Sequence, residues 1–313
     1  MRNIVLLGGS GFIGRKLARS LCDKNHVTIV DLQPPEELNE YENVGYVKYN
    51  FTSETGPMTF LDGTDVVVHL ISTIFPADGT DQVLEDVEKN VIPTIRLLNE
   101  MKTRCPNAQI VFVSSGGTVY GEGNGTPNRE DTAQEAYCSY ALTKIMIEQT
   151  IKLYSHQNNL RYKVLRLGNP YGYSSNSKRM QGAIPIFVQK IIHNEKITIW
   201  GDGKNTRDYI FLDDVIEAIV RVIDSTETNL VLNVGSGVSY STLQVLDRIE
   251  RLIGSELSTT VEFSKARKCD LQHSALDISN IQSTVNWTPK HTLDEGIMLV
   301  IDEYKRRMKD IDQ

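Results

Sequence analysis

Short runs of β-branched and other apolar residues at 4–7, 27–30, 66–70, 110–113 and 164–167 alternate with longer stretches, 15–21, 83–101 and 140–154, whose apolar residues recur at helical spacing. Strands that are apolar on both faces and separated by helices fit a parallel sheet covered on both sides, and right-handed crossovers make that sheet doubly wound. The fold class is therefore α/β. Ligands of such sheets sit beyond the carboxyl ends of the strands. After residue 168 the alternation loosens, with loop-rich stretches at 168–182 and 201–206 and shorter helical segments at 184–193, 242–253 and 295–308. The expected division is a first domain over 1–168 and a smaller lobe over 169–313. A helical segment at 213–223 and an apolar strand at 231–234 resemble first-domain elements, so segments near 208–236 are expected to return to that domain and interleave the two.

Gly8-Gly9-Ser10-Gly11-Phe12-Ile13-Gly14 follows the first strand and opens the first helix, with glycines at 8, 11 and 14. Such a turn lets the backbone approach a pyrophosphate, while the helix start offers N–H donors and a positive dipole end. Alone it also fits a structural strand-to-helix turn. Asp31-Leu32 follows the second strand, at the spacing where a carboxylate accepts the ribose hydroxyls of NAD and repels the extra phosphate of NADP. A plain turn residue before Pro34-Pro35 is the alternative for Asp31.

Tyr140 and Lys144 stand four residues apart, on one face of a helix that follows the fifth apolar run and a Ser114-Ser115-Gly116-Gly117 loop. A nearby ammonium and a positive nicotinamide favour phenolate. Bringing a phenol from about 10 to near 7 takes about 4 kcal/mol.

Composition removes several classes. The 313 residues, 40% hydrophobic and 23% charged, read as an ordinary globular protein, not a disordered or fibrous one. A net charge of −7 argues against broad binding to nucleic acid or to an anionic membrane. Cys22, Cys105, Cys138 and Cys269 are scattered, against a disulfide framework or a structural zinc site, so no metal is expected and a reduced, cytoplasmic chain is. No apolar run approaches the length of a membrane span, and the run at 4–7 is too short for a signal-peptide core.

The opening glycines, Asp31, Asn90, the SSGGTVYG run at 114–121, Tyr140 with Lys144, Asn169-Pro170 and Arg207-Asp208-Tyr209-Ile210 together resemble the extended short-chain dehydrogenase/reductases. Within them the chain is most similar to nucleotide-sugar epimerases of the UDP-glucose 4-epimerase type. The resemblance covers nearly the whole chain. It implies a Rossmann sheet with a smaller α/β substrate-binding lobe, NAD as cofactor and a UDP-sugar as substrate. It also implies a homodimer formed through helices near 83–101 and 140–154. Tyr140 would be the base and Lys144 its activator, in reversible hydride transfer at sugar C4.

The cofactor set so implied comprises Gly8, Gly11, Phe12, Ile13, Gly14, Asp31, Leu32, Asn50, Phe51, Leu70, Ile71, Ser72, Asn90, Ser114, Tyr140, Lys144 and Gly168. The substrate set comprises Asn169, Gly182, Ala183, Thr198, Ile199, Trp200, Arg207, Arg267, Asp270 and Ser274, with the two arginines clamping the diphosphate and Asp270 and Thr198–Trp200 contacting the nucleoside. The small Ser274, at the position that limits bulk at sugar C2, implies that UDP-GlcNAc and UDP-GalNAc fit beside UDP-Glc and UDP-Gal. His273 and Lys163 read as structural and as solvated surface, respectively.

One departure stands out. The family's hydroxyl residue three positions before the Val of V-Y-G is here Gly116, so either Ser115 or Thr118 supplies that hydrogen bond or efficient catalysis has been lost. Gly117-Thr118 also lacks the acidic residues that 4,6-dehydratases and decarboxylases of the same group carry before V-Y-G. Two other readings stay open: a nucleotide-sugar 4-ketoreductase, and a non-catalytic NAD or sugar-nucleotide binding protein.

Overall fold

A computed structural model describes residues 1–35, 42–74, 82–123, 125–173, 182–254, 260–267 and 269–311. Most of the expected loop at 168–182 lies outside the described residues. The first half runs β1 (Arg2–Leu7), α1 (Phe12–Leu21), β2 (Asn25–Asp31), β3 (Val44–Lys48), β4 (Val66–His69) and α2 (Val83–Asp86). One wide π turn, Val87–Val91, joins α2 to α3 (Ile92–Arg104); β5 (Gln109–Ser115), α4 (Ser139–Asn158) and β6 (Arg161–Leu167) follow. The second half runs β7 (Asn169–Tyr171), α5 (Ala183–Ile192), β8 (Ile197–Trp200), β9 (Thr206–Phe211), α6 (Leu212–Asp224), β10 (Leu230–Val234) and β11 (Ser239–Ser241). It ends with α7 (Thr242–Ile253), β12 (Val261–Ser264), α8 (Ser279–Val285) and α9 (Leu293–Ile311).

The large sheet has the order β10-β6-β5-β4-β1-β2-β3, and its neighbours pair in parallel throughout. This is the doubly wound α/β sheet that the alternation implied. Successive side chains of a strand point to opposite faces, so Ile4 and Leu6 enter one core with Leu17, Ile216 and Ile219, while Val5 and Leu7 enter another with Leu97, Phe112, Ile147 and Ile151. The strand order reverses between β1 and β4, which opens a crevice beyond their carboxyl ends. β3 was not visible in the apolar pattern because it is an edge strand whose residues are half-buried or exposed.

A third core, built from residues such as Ile184, Val188, Ile199, Ile249 and Ile297, gathers α5, α7 and α9 around β11-β9-β7 and β12-β8. The chain leaves this lobe through α6, which packs on α1, and adds β10 to the outer edge of the large sheet. Among the described residues no helix is long and apolar enough to cross a membrane.

Lys163 is not the solvated side chain expected of it. It is fully buried, and its Nζ donates to the Val222 and Ser225 carbonyls at 2.6 and 2.7 Å, where α6 ends with backbone acceptors unused by the helix itself. Burial draws its pKa down to about 8.

Candidate active site

β1 is followed by Gly8 at φ +81°, a left-handed conformation that a side chain would strain, with its N–H bound to the Val30 carbonyl at 2.9 Å. A Cβ on Gly14 would lie 2.5 Å from Gly9 Cα, so this glycine seats α1 against the turn. The α1 start at Gly11 carries no side-chain cap, which leaves its first N–H groups to a ligand. Asp31 closes the turn from β2: Oδ2 accepts from Ser10 N at 3.0 Å and Oδ1 from Leu32 N at 2.7 Å. A cradle that side chains would fill, with a carboxylate at its rim, fits the diphosphate and ribose of a dinucleotide. Phe12 and Ile13 are half-buried beside it, and Leu32 is exposed.

Residues 70–72 form the opposite lip. Leu70 N donates to the Leu7 carbonyl at 2.9 Å, Ile71 lies against the Gly8 turn, and Ser72 Oγ donates to the Ile74 carbonyl at 2.9 Å. Asn90, on the π turn, fastens this lip from behind. Its Nδ2 donates to Thr73 Oγ1 and the Asp86 carbonyl, and its Oδ1 accepts from Thr73 N at 3.0 Å. Its amide is thus committed to the lip itself. Asn50 Oδ1 is occupied by Thr52, and Phe51 is buried in the core, edge-on to His69 at 5.2 Å.

Tyr140 and Lys144 project from the first turns of α4, which Cys138 caps by accepting from Ala141 N through Sγ. Lys144 Nζ donates to the Val113 carbonyl at 2.9 Å and lies 5.7 Å from the Tyr140 ring centroid. Burial pushes the Tyr140 phenol up to about 12, opposed by a hydrogen bond with the Ser115 side chain, and draws Lys144 down to about 8 against the Glu148 carboxylate. Near pH 7 the chain alone therefore holds Tyr140 as the neutral phenol and Lys144 mainly as the ammonium, so the phenolate expected with cofactor present needs the further positive charge of the nicotinamide. Thr118 Oγ1 is buried with no hydrogen-bond partner among the described residues. Gly116 is backed by Leu276, and Gly117 by Asn169 Oδ1 at 2.8 Å from a Cβ position, so β7 lies against the SSGG turn. A Cβ on Gly168, just before β7, would lie 2.8 Å from the Asp208 carbonyl oxygen.

Ser114 does not present its hydroxyl to the crevice; it is buried and donates to Glu148 Oε1 at 2.5 Å. Glu148 and its partner Arg166 were missed by reading the sequence. Their signal was available in the four-residue step from Tyr140 to Lys144 to Glu148, and in an arginine inside the otherwise apolar end of β6.

In the second lobe, Arg207 Nη1 donates to the Thr206 and Leu271 carbonyls at 2.9 and 2.7 Å, while Nη2 stands 3.5 Å from Asp270 Oδ1. The Arg267 guanidinium lies over the exposed Trp200 ring at 4.7 Å. On β8, Thr198 and Trp200 face out and Ile199 faces the core, so strand alternation leaves Ile199 only its backbone for a ligand. Gly182, at φ +89°, precedes Ala183 at the start of α5. Ser274 is buried with its N–H on the Thr206 carbonyl at 3.1 Å, and His273 Nδ1 meets Thr206 Oγ1 at 3.2 Å, a structural contact.

Residues 4–235 match the model of the NAD dependent epimerase/dehydratase family. The chain is 31% identical to a putative UDP-glucose 4-epimerase of Methanocaldococcus jannaschii, over 96% of this chain and 98% of that one. It is 28% identical to a dTDP-4-dehydro-6-deoxyglucose reductase of Escherichia coli, over 94% and 95%. The crystal structure of the Thermotoga maritima UDP-glucose 4-epimerase with UDP-glucose superposes with a TM-score of 0.89 at 26% identity, covering 98% of this chain and 99% of that one. With the glycine turn, Asp31 and the Tyr140–Lys144 helix all facing one crevice of a doubly wound sheet, the chain belongs to the NAD dependent epimerase/dehydratase family, whose cofactor is the dinucleotide this crevice fits.

Proposed function

We propose that the chain is a 4-epimerase of UDP-hexoses, interconverting UDP-Glc with UDP-Gal and accepting the N-acetylated pair. The observation that carries this reading is the grouping of Tyr140, Lys144 and the Ser115 hydroxyl on one side of the crevice, in a chain similar over its length to UDP-glucose 4-epimerases.

Gly8, Gly11, Gly14 and Asp31 would hold NAD, and NAD when bound supplies the hydride acceptor and donor together with a positive ring charge. Tyr140 takes the proton of the sugar C4 hydroxyl and later returns one. Lys144 stabilises the phenolate by its charge and is held in place by the Val113 carbonyl. Ser115 supplies the hydrogen bond to the reacting oxygen that Gly116 cannot. Arg207 and Arg267 meet the diphosphate, Trp200 stacks on the base and Ser274 leaves room at C2. Leu84, Ile92 and Leu153, exposed on α2, α3 and α4, support pairing of two copies through these helices.

A second reading, a nucleotide-sugar 4-ketoreductase, is favoured by the similarity to the E. coli reductase. The same protein is incubated with UDP-Glc, UDP-Gal, UDP-GlcNAc and UDP-GalNAc, with and without NAD, and the C4 epimers are resolved. Interconversion without net change in NAD supports the epimerase. Inertness toward all four, with stoichiometric NADH oxidation on a 4-keto-6-deoxy sugar nucleotide, replaces it by the reductase.

A further inference from the structure

Behind Tyr140 and Lys144, one further step of four residues along α4, stands Glu148, whose side chain is 0% exposed. Its carboxylate accepts from Ser114 Oγ of β5 at 2.5 Å and from Gln134 Nε2 at 2.9 Å. Arg166 of β6 adds Nη2 to Oε2 at 2.7 Å, with Nε 3.2 Å from both oxygens. Arg166 continues through Nη1 to Tyr120 Oη and the Glu130 carbonyl, both at 3.0 Å. Tyr120 Oη donates to Asn233 Oδ1 at 2.6 Å, and Asn233 Nδ2 donates to the Asn128 and Asp277 carbonyls at 2.8 and 3.1 Å. One hydrogen-bonded path thus joins α4, the 114–121 turn and the segment that carries Ser274 and Leu276.

A buried ion pair is a weak stabiliser, because desolvation offsets most of its Coulombic gain and apolar replacements are often neutral. This pair does something more local. Ser114 and Arg166 are cross-strand neighbours, and the residue after Ser114 is the one that meets the Tyr140 phenol. Lys144 lies one helical turn before Glu148, so the same carboxylate faces the ammonium.

We propose that Glu148, acting through Ser114 and Arg166, is the positioning residue of this site: it fixes the Ser115 turn against α4 and faces the Lys144 ammonium with a negative charge. The inference rests on the roles given above to Tyr140 and Lys144. Around the pair stand Tyr140 and Cys138 at the start of α4, His69 on β4, Asp86 on α2, Arg166 on β6, and Tyr120 and Glu130 beyond β5. His69 is held neutral near pH 7 by burial, as is Tyr120. Glu148 is the charge that bears on Lys144, and a neutral residue there leaves both the Lys144 ammonium and the Arg166 guanidinium without the carboxylate they share.

The test uses the full chain labelled with carbon-13 at lysine Cε, the Lys144 resonance being the one lost in Lys144→Arg. Glu148→Gln should lower the Lys144 titration midpoint by about one pH unit, and Glu148→Asp should restore it. With UDP-glucose and NAD, kcat should fall about a hundredfold in Glu148→Gln while KM stays within about twofold. An unchanged midpoint in folded Glu148→Gln overturns the proposal, whatever the turnover. Should that variant not fold, Ser114→Ala decides, with about tenfold loss of kcat expected and full kcat overturning the proposal. Turnover that survives Tyr140→Phe defeats the reading of Tyr140 as base, and leaves the midpoint measurement to judge Glu148 by itself.

Discussion

Leu276 occupies the volume that a side chain at position 116 would need: a Cβ placed on Gly116 lies 2.8 Å from both Leu276 methyls and 3.0 Å from the Arg166 carbonyl. Leu276 is fully buried and its N–H is bound to Asp208 Oδ2 at 3.3 Å, so it has little room to retreat. The glycine is the steric counterpart of that leucine. Gly116→Ser should destabilise the fold by about 1–3 kcal/mol in urea titrations. Leu276→Ala in the same chain should recover part of the loss; strict additivity of the two substitutions would refute the coupling.

Ser115 and Thr118 are distinguished by what their hydroxyls do. Ser115 hydrogen-bonds the Tyr140 phenol, whereas Thr118 Oγ1 is buried without a partner among the described residues. Ser115→Ala should lower kcat about 10- to 100-fold with little change in melting temperature. Thr118→Val should keep or raise the melting temperature, since it removes an unmet polar group at constant shape. A large loss of kcat in Thr118→Val alone would give the reacting oxygen to Thr118 instead.

Much of this site was legible because its parts are local in sequence. The glycine turn, Asp31 and the Tyr140–Lys144 step are each confined to one turn or one helix face, where backbone geometry leaves few choices. Contacts made across the fold left no such trace. Nothing near Gly116 announces Leu276, and nothing near Lys163 announces the end of α6 that buries it. On β8 strand alternation turns the Ile199 side chain into the core while Thr198 and Trp200 face out, a distinction that resemblance of the tripeptide does not carry. Asn90 likewise sits in the expected place but acts on residue 73.

Trp200 offers a direct view of ligand binding. Its ring is exposed and covered on one side by Arg267, while the other tryptophan, Trp287, is fully buried. UDP alone should draw Arg267 to its phosphates and change the Trp200 emission. Arg267→Ala should weaken UDP binding about tenfold or more in the same fluorescence titration. An emission that does not respond to saturating UDP would remove both residues from the nucleotide site.

His69 should make the fold acid-sensitive. It is buried between Phe51 and Phe112, its Nε2 meets Thr94 Oγ1 at 3.0 Å, and its Nδ1 has no partner among the described residues. Thr94 Oγ1 donates to the Asn90 carbonyl, so Nε2 carries the proton. Burial, with the nearby Lys144 charge, lowers the His69 pKa from 6.5 to about 3. Between these values the unfolded chain binds a proton that the folded chain does not. Stability from this group is therefore complete above pH 6.5 and falls as pH drops toward 3, by about 2–3 kcal/mol at pH 4.5. Urea unfolding at pH 7.5 and 4.5 should show a smaller difference in His69→Phe than in the parent chain; equal differences would contradict the assignment.

β10 closes the outer edge of the large sheet, yet it is made only after β7, α5, β8, β9 and α6. A fragment ending at residue 168 would bare the edge of β6 from Lys163 to Leu167, a template for aggregation, and would strip Lys163 of both its carbonyl acceptors. The smaller lobe is accordingly not a module that can be cut away or transplanted at a single joint. Exchange of specificity between relatives has to proceed by individual loops, with the threading of the chain left intact.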